Sequence, residues 1–191
     1  MNYLKIDKDD ECNGDGLRVI LWLSGCSHHC KECQNPQTWN PDSGILFDDL
    51  AEEELFKELN KDCISGMTLT GGDPLHESNL DGVLELVNKT RLLLPEKTIW
   101  LYTGYTWEEC QPNTRREWFV REHFPNDKKL LNESIIQDKR AEIVENIDVM
   151  VDGRYIDSRR DITLAWRGSK NQRVIDTKKS LQKGEVVLWT N

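Results

Sequence analysis

Three apolar runs of strand length, Leu17–Leu23, Met67–Thr70 and Thr98–Tyr102, each stop at a loop of special composition, and helical patterns separate them. The loops open with Ser24-Gly25-Cys26, Gly71-Gly72-Asp73-Pro74 and Thr103-Gly104-Tyr105. Between the first two runs, residues 48–62 place Leu50, Leu55, Phe56 and Leu59 among acidic residues, with Asp48 or Asp49 available as a helix cap. Between the second and third, residues 79–94 put Leu80, Val83, Leu84, Leu86, Val87 and Leu93 on one broad face and end before Pro95, which a helix does not easily pass. Strand, helix, strand, helix, strand is the grammar of a parallel sheet with helical crossovers. In such sheets ligands gather at the C-terminal ends of the strands, where these three loops lie.

The first loop carries Cys26, Cys30 and Cys33, a C-x3-C-x2-C spacing in a stretch too polar to be core. An electron-transferring iron–sulfur cubane normally takes four thiolates, so three suggest a cluster with one iron left open. Zinc is the competing reading, since His28 or His29 could add a donor, although no second C-x2-C pair completes a tetrahedron. From the spacing alone iron–sulfur, zinc and coincidence all stand. Cys12, Cys63 and Cys110 are scattered singly and read as structural free thiols of a reduced compartment.

The double glycine of the second loop lets a ligand approach the backbone, because no Cβ stands in the way. Alone it is more often a tight turn. One strand–helix unit after the cysteine loop, it opens onto the same face of a barrel or half-barrel as the cysteines do.

Beyond Trp107 the sequence becomes charged and weakly periodic, with a helix-like stretch in residues 133–144. Residues 107–146 read as a charged helical insertion, for which a solvated surface excursion is the plain alternative. Ile147–Val151 alternates into a fourth strand, and residues 185–189 suggest a short late one. The 34 acidic and 25 basic residues give a net charge of −9, which would repel a phosphate backbone, so nucleic acid is not expected as a partner. The N-terminus shows no apolar signal-peptide core, and no apolar run approaches the roughly 18 residues that cross a bilayer. A soluble, cytoplasmic protein without membrane contact is expected.

Five segments together carry a resemblance: residues 13–18 (Asn-Gly-Asp-Gly-Leu-Arg), 24–33, 70–76 (Thr-Gly-Gly-Asp-Pro-Leu-His), 99–105 (Ile-Trp-Leu-Tyr-Thr-Gly-Tyr) and 148–155 with 166–169. They resemble the radical S-adenosylmethionine superfamily, and within it the activating proteins of anaerobic ribonucleoside-triphosphate reductase. The resemblance implies a [4Fe–4S] cluster on Cys26, Cys30 and Cys33, with S-adenosylmethionine on the open iron. It implies that Gly71, Gly72 and Asp73 hold the methionine amino group, that Glu32, Cys33 and Gln34 lie near the adenine, and that Thr103 and Gly104 touch the cofactor at a strand end. Reductive cleavage would give a 5′-deoxyadenosyl radical that makes a glycyl radical in the large subunit of the reductase. The electron would come from a donor such as flavodoxin.

Hydrogen-atom transfer needs no acid or base, and no catalytic residue is nominated; His76 reads as structural. The implied fold is a partial TIM-like barrel in one domain, residues 1–191, with an extension after about residue 174, because a complete barrel takes about 250 residues. The family has Tyr where this chain has Gln34, and Asn-Gly-Pro-Gly where it has Asn13-Gly14-Asp15-Gly16. Two other readings remain: a small radical enzyme acting on a small molecule, and a zinc-binding interaction module.

Overall fold

The computed structural model describes residues 1–112, 120 and 122–190. Within the charged segment 107–146, residues 113–119 and 121 lie outside the described residues. One seven-stranded sheet forms the frame: β1 (Asn2–Asp10), β2 (Arg18–Leu23), β3 (Ile45–Leu46), β4 (Gly66–Gly71), β5 (Thr98–Tyr102), β6 (Val149–Asp152) and β7 (Arg173–Asp176), in the spatial order β3-β1-β2-β4-β5-β6-β7. The parallel part is the four central strands β2, β4, β5 and β6; β1, β3 and β7 run antiparallel to their neighbours. The sheet ends at β3 and β7 and is not a closed barrel.

The crossovers are helices α1 (Asp49–Leu59), α2 (Leu80–Leu93) and α3 (Lys128–Glu145); a short α4 (Thr177–Lys183) follows β7. Local chemistry sets their starts. The Asp48 carboxylate accepts the Ala51 N–H, and the Asp127 carboxylate accepts from Lys129 and Leu130, each supplying an acceptor to otherwise orphaned first-turn donors.

Alternation along the strands divides the sheet into two faces. Leu21, Leu23, Leu69, Leu101 and Met150 pack with Leu55, Leu59, Val83, Leu86 and Val87 of the helices into the main core. Trp100, Val149, Val151 and Val174 point the other way and form a smaller cluster with Tyr102, Trp166 and Trp189. At the N-terminal ends of the parallel strands Arg18 is fully buried. Its guanidinium donates to the Thr68 and Thr98 hydroxyls and to the carbonyls of Asp15, Met67 and Thr98 at 2.6–3.0 Å. Residues 13–16 wrap around that side chain, so the first of the five family-like segments is a structural clasp. Burial lowers the Arg18 pKa to about 10.

The late strand expected at 185–189 reduces to one bridge, Leu188 with Ile175. Asp176 N–H donates to Val187 O and Trp189 N–H to Val174 O, but Val187 N–H is taken by the Ser180 hydroxyl instead of extending a ladder. Strand β1 had no clear signal, because an edge strand with charged, half-exposed positions lacks an apolar alternation. Among the described residues no helix is long and apolar enough to cross a membrane.

Candidate active site

A pocket of about 430 Å³ lies at the C-terminal ends of β2, β4 and β5, within the size range of small-ligand sites. Its floor is the face of the sheet opposite the helices: Trp22, Thr70 and Tyr102, alternating with the core leucines. Its roof is the β6–β7 connection, which brings in Tyr155, Arg160, Ile162, Trp166 and Arg167. Of the residues nominated from sequence, Cys26, Cys30, Cys33, Gln34, Gly71, Gly72, Asp73, Thr103 and Gly104 all line this pocket. Glu32 is exposed and is not among the lining residues.

The cysteine loop is wrapped rather than regular. His29 (φ 46°) and Glu32 (φ 57°) adopt left-handed conformations unusual for side-chain-bearing residues, and each lies between two of the cysteines. The ends are pinned by backbone bonds from Gly25 and Cys26 to the carbonyls of Thr38 and Trp39 at 2.7 and 3.0 Å. The three thiols are half-buried. Burial pushes the Cys26 thiol up to about 11 and raises Cys30 as well, although backbone N–H groups, of His28 toward Cys26 and Tyr155 toward Cys30, act in the other direction. Thiols of this kind become thiolates when a cation binds them, since a coordinating thiol is deprotonated outright.

A donor set of three sulfurs around a cavity suits a cluster that spreads its ligands over its corners. The imidazoles that a zinc site would recruit are engaged elsewhere: His28 with Asp73 at 2.7 Å, and His29 edge-on to Trp39 with ring centroids 4.7 Å apart.

The Gly-Gly-Asp-Pro loop is bonded back-to-back to the start of the cysteine loop. Gly72 N–H donates to Leu23 O and Asp73 N–H to Gly25 O, both at 2.8 Å. A Cβ on Gly72 would come within 2.6 Å of the Gly25 carbonyl oxygen, so only glycine lets the two backbones approach this closely.

Asp73 does most of the joining. Its buried carboxylate accepts the Leu75 N–H (2.8 Å), the Thr103 hydroxyl (2.8 and 3.0 Å), the Gly104 N–H (3.0 Å) and the His28 Nε2–H (2.7 Å). With the carboxylate as acceptor, the His28 nitrogen facing it must be the protonated one. One side chain thus ties together the three loops that follow β2, β4 and β5. The His28 ring is edge-on to Tyr105 at 4.6 Å, and Arg140 of α3 stacks on Tyr105, donates to its hydroxyl (2.6 Å) and donates to Leu75 O (3.0 Å). Helix α3, from the charged segment, therefore buttresses the site from below. The His76 ring is engaged with its neighbour Ser78, Nδ1 to hydroxyl at 2.8 Å, within its own turn.

The contributions hardest to see from sequence are those of His28, Tyr155, Arg160 and Arg167. His28 had a signal, its place between two cysteines, but that signal pointed to metal ligation. Tyr155 and Arg167 belong to segments that carried the resemblance without an assigned role.

Comparison with known proteins is consistent across most of the chain. The family described as "4Fe-4S single cluster domain" matches residues 12–175. Anaerobic ribonucleoside-triphosphate reductase-activating protein of Haemophilus influenzae is 36% identical over 174 residues, covering 90% of this chain and 96% of its own length. The protein of the same name from Enterobacteria phage T4 is 37% identical over 174 residues, covering 91% of this chain and 93% of its own. That of Escherichia coli K12 is 36% identical, with 90% and 96% covered.

Proposed function

The chain belongs to the family of anaerobic ribonucleoside-triphosphate reductase-activating proteins, and from that membership we propose that it is a radical S-adenosylmethionine enzyme that installs a glycyl radical in such a reductase. The [4Fe–4S] cluster, when bound, supplies the electron that cleaves the sulfonium of S-adenosylmethionine and so provides a carbon radical able to take a hydrogen atom from a glycine.

The protein's own residues bind, position and exclude. Cys26, Cys30 and Cys33 are the cluster ligands, and their being three leaves one iron for the cofactor. The backbone edge at Gly71 and Gly72 receives the methionine amino group. Thr103 and Gly104 support the cofactor at the end of β5, and Glu32, Cys33 and Gln34 flank the adenine. Asp73 and His28 hold these loops in mutual register, because their polar atoms are already engaged with one another and with Thr103 and Gly104. A carbon radical attacks any nearby C–H bond or solvent-borne quencher, so the site must be dry. Trp22 and Tyr102 beneath and Tyr155 and Trp166 above serve that exclusion.

We read the sheet as a sector of a barrel, open at its side, which suits a substrate that is a loop of another protein. Residues 1–191 form one domain on this reading; the family match ending at residue 175 supports treating the chain after about 174 as an extension. A one-electron donor such as flavodoxin and a cytoplasmic setting complete it. All six cysteines are free, as a reducing compartment would keep them.

The observation that carries this function is that the three thiols, the double glycine and the Thr-Gly pair open into one pocket. The test is anaerobic reconstitution with iron and sulfide, followed by incubation with the reductase, S-adenosylmethionine and dithionite. A glycyl-radical doublet in electron paramagnetic resonance should require every component and disappear in Cys30→Ala. Its absence with full cluster loading and an authentic reductase would overturn the assignment.

A further inference from the structure

We infer that the hydroxyls of Thr70 and Tyr102, side by side on the pocket floor, hold the protein substrate at its reactive glycine by hydrogen bonding a peptide unit next to it. The inference rests on the activase reading above.

The placement follows from the sheet register. Trp22 pairs with Thr70 and Leu69 with Leu101 in parallel ladders, so the next position along sets Thr70 beside Tyr102. Trp22, Thr70 and Tyr102 therefore form one row across β2, β4 and β5, on the face away from the helices, and all three line the pocket. The row before it is covered. There the Thr68 hydroxyl donates to Asn13 O (2.7 Å), and a Cβ on Gly14 would come within 3.0 Å of the Trp100 ring. Beyond the row, at the strand ends, stand the residues assigned to the cofactor, Gly71, Gly72, Thr103 and Gly104. The floor hydroxyls thus lie between the loop that covers Thr68 and Trp100 and the loops that hold cluster and cofactor. Packing of Tyr102 against the Trp100, Val149 and Val151 cluster fixes where its ring points.

Unused hydrogen-bonding capacity sets these two side chains apart from their neighbours in the pocket. Asp73 is engaged with Thr103 and His28, the Trp22 indole N–H donates to Asp7 (2.8 Å), and the Gln172 amide oxygen accepts from the Gly168 and Ser169 N–H groups (3.0 and 3.1 Å). Among the described residues the hydroxyls of Thr70 and Tyr102 have no hydrogen-bond partner, although both side chains are half-buried. Each can still donate one bond and accept another. Burial holds the Tyr102 phenol well above its ordinary pKa, so it stays protonated and able to donate. The chemistry of the substrate then selects what such a pair can grip. Glycine has no side chain, so a site can orient its Cα–H bonds only through the peptide C=O and N–H groups on either side. Two adjacent neutral hydroxyls match those groups. Orientation matters because a carbon radical takes the hydrogen that lies in line and within reach.

The test uses Tyr102→Phe and Thr70→Val, which remove the hydroxyls and keep the shapes, in the reconstituted enzyme with dithionite as reductant. Two quantities are read: the reductase concentration giving half-maximal glycyl-radical formation, and the deoxyadenosine released per glycyl radical formed. Each variant should raise the first about fivefold, as loss of one hydrogen bond to a neutral group implies. Each should raise the second too, because cleavage continues while a loosely held glycine misses the radical. Thr70→Ser, which restores a hydroxyl, should bring both back toward the wild type, and it serves if Thr70→Val fails to fold. Variants that match the wild type in either quantity would overturn the proposal. So would a weaker interaction with S-adenosylmethionine, read without reductase by titrating the cluster's electron paramagnetic resonance signal, since the hydroxyls would then serve the cofactor. Failure of the activase reading is visible separately, as a wild type that forms no glycyl radical, and it would take this inference down with it.

Discussion

Asp73→Asn is the sharpest probe of how the site is held. The substitution keeps the shape of the side chain and removes its charge. In the native arrangement both oxygens face donors only: one accepts from Leu75 N–H and the Thr103 hydroxyl, the other from His28 Nε2–H, Gly104 N–H and, more weakly, Thr103. An amide must turn an NH2 toward one of these groups. His28 can change tautomer and the Thr103 hydroxyl can rotate, but a backbone N–H can do neither. Either Leu75 or Gly104 therefore loses its acceptor, and a buried donor without a partner costs about 1–3 kcal/mol. The bonds that survive cease to be charge-assisted and become roughly half as strong. Together the loss is about 2–4 kcal/mol. For a chain of this size that corresponds to about 10 °C in Tm.

Anaerobic thermal unfolding of wild type and variant, both loaded with the cluster, measures the shift. Titration of the cluster's electron paramagnetic resonance signal with S-adenosylmethionine measures the second consequence, a weaker cofactor interaction. A Tm within about 2 °C of the wild type would refute the argument, because it would mean that no backbone donor depends on this carboxylate.

Gly104→Ala should reproduce much of that defect from the other side, because a Cβ there would run into the ring of His28, which is nearly enclosed and cannot move aside; a wild-type affinity for S-adenosylmethionine in this variant would contradict it. Arg18→Met should lower stability by about 3 kcal/mol, since the Met67 and Thr98 carbonyls lose buried donors. Denaturant midpoints would measure that, and an unchanged midpoint would refute it. In the metal-free protein, with the Cys26 thiol at about 11 instead of 9.0, the thiolate fraction at pH 8 falls about a hundredfold. Iodoacetamide mapping should find Cys26 far slower than exposed Cys12, and equal rates would refute it. The folded state favours the neutral Cys26 thiol, so this group's contribution to metal-free stability is present below about pH 9 and lost as the pH climbs toward 11.

Much of the frame was legible because its signals are local. The three apolar runs became β2, β4 and β5, and Thr98–Tyr102 has the same limits in both readings. Asp48 caps α1 as its chemistry suggests, and Pro95 stands just beyond α2. Strands β1 and β7 were not legible: a two-residue-per-repeat signal fades at charged edges and in four-residue segments, and their pairing depends on neighbours elsewhere in the chain.

The same division runs through the site. The amino-acid sequence by itself determined the donor types, three thiols, two glycines and a Thr-Gly pair, and put each at a strand's end, because strand length, cysteine spacing and glycine tolerance are properties of a few consecutive residues. Only the tertiary structure decided that Asp73 is a clip and His28 its partner instead of a metal ligand, since the groups that meet there are 45, 30 and 31 residues apart. It likewise decided that the β6–β7 hairpin roofs the pocket. A buried carboxylate takes whatever donors the sheet register brings to it, and that register is a long-range outcome of packing that no local pattern encodes.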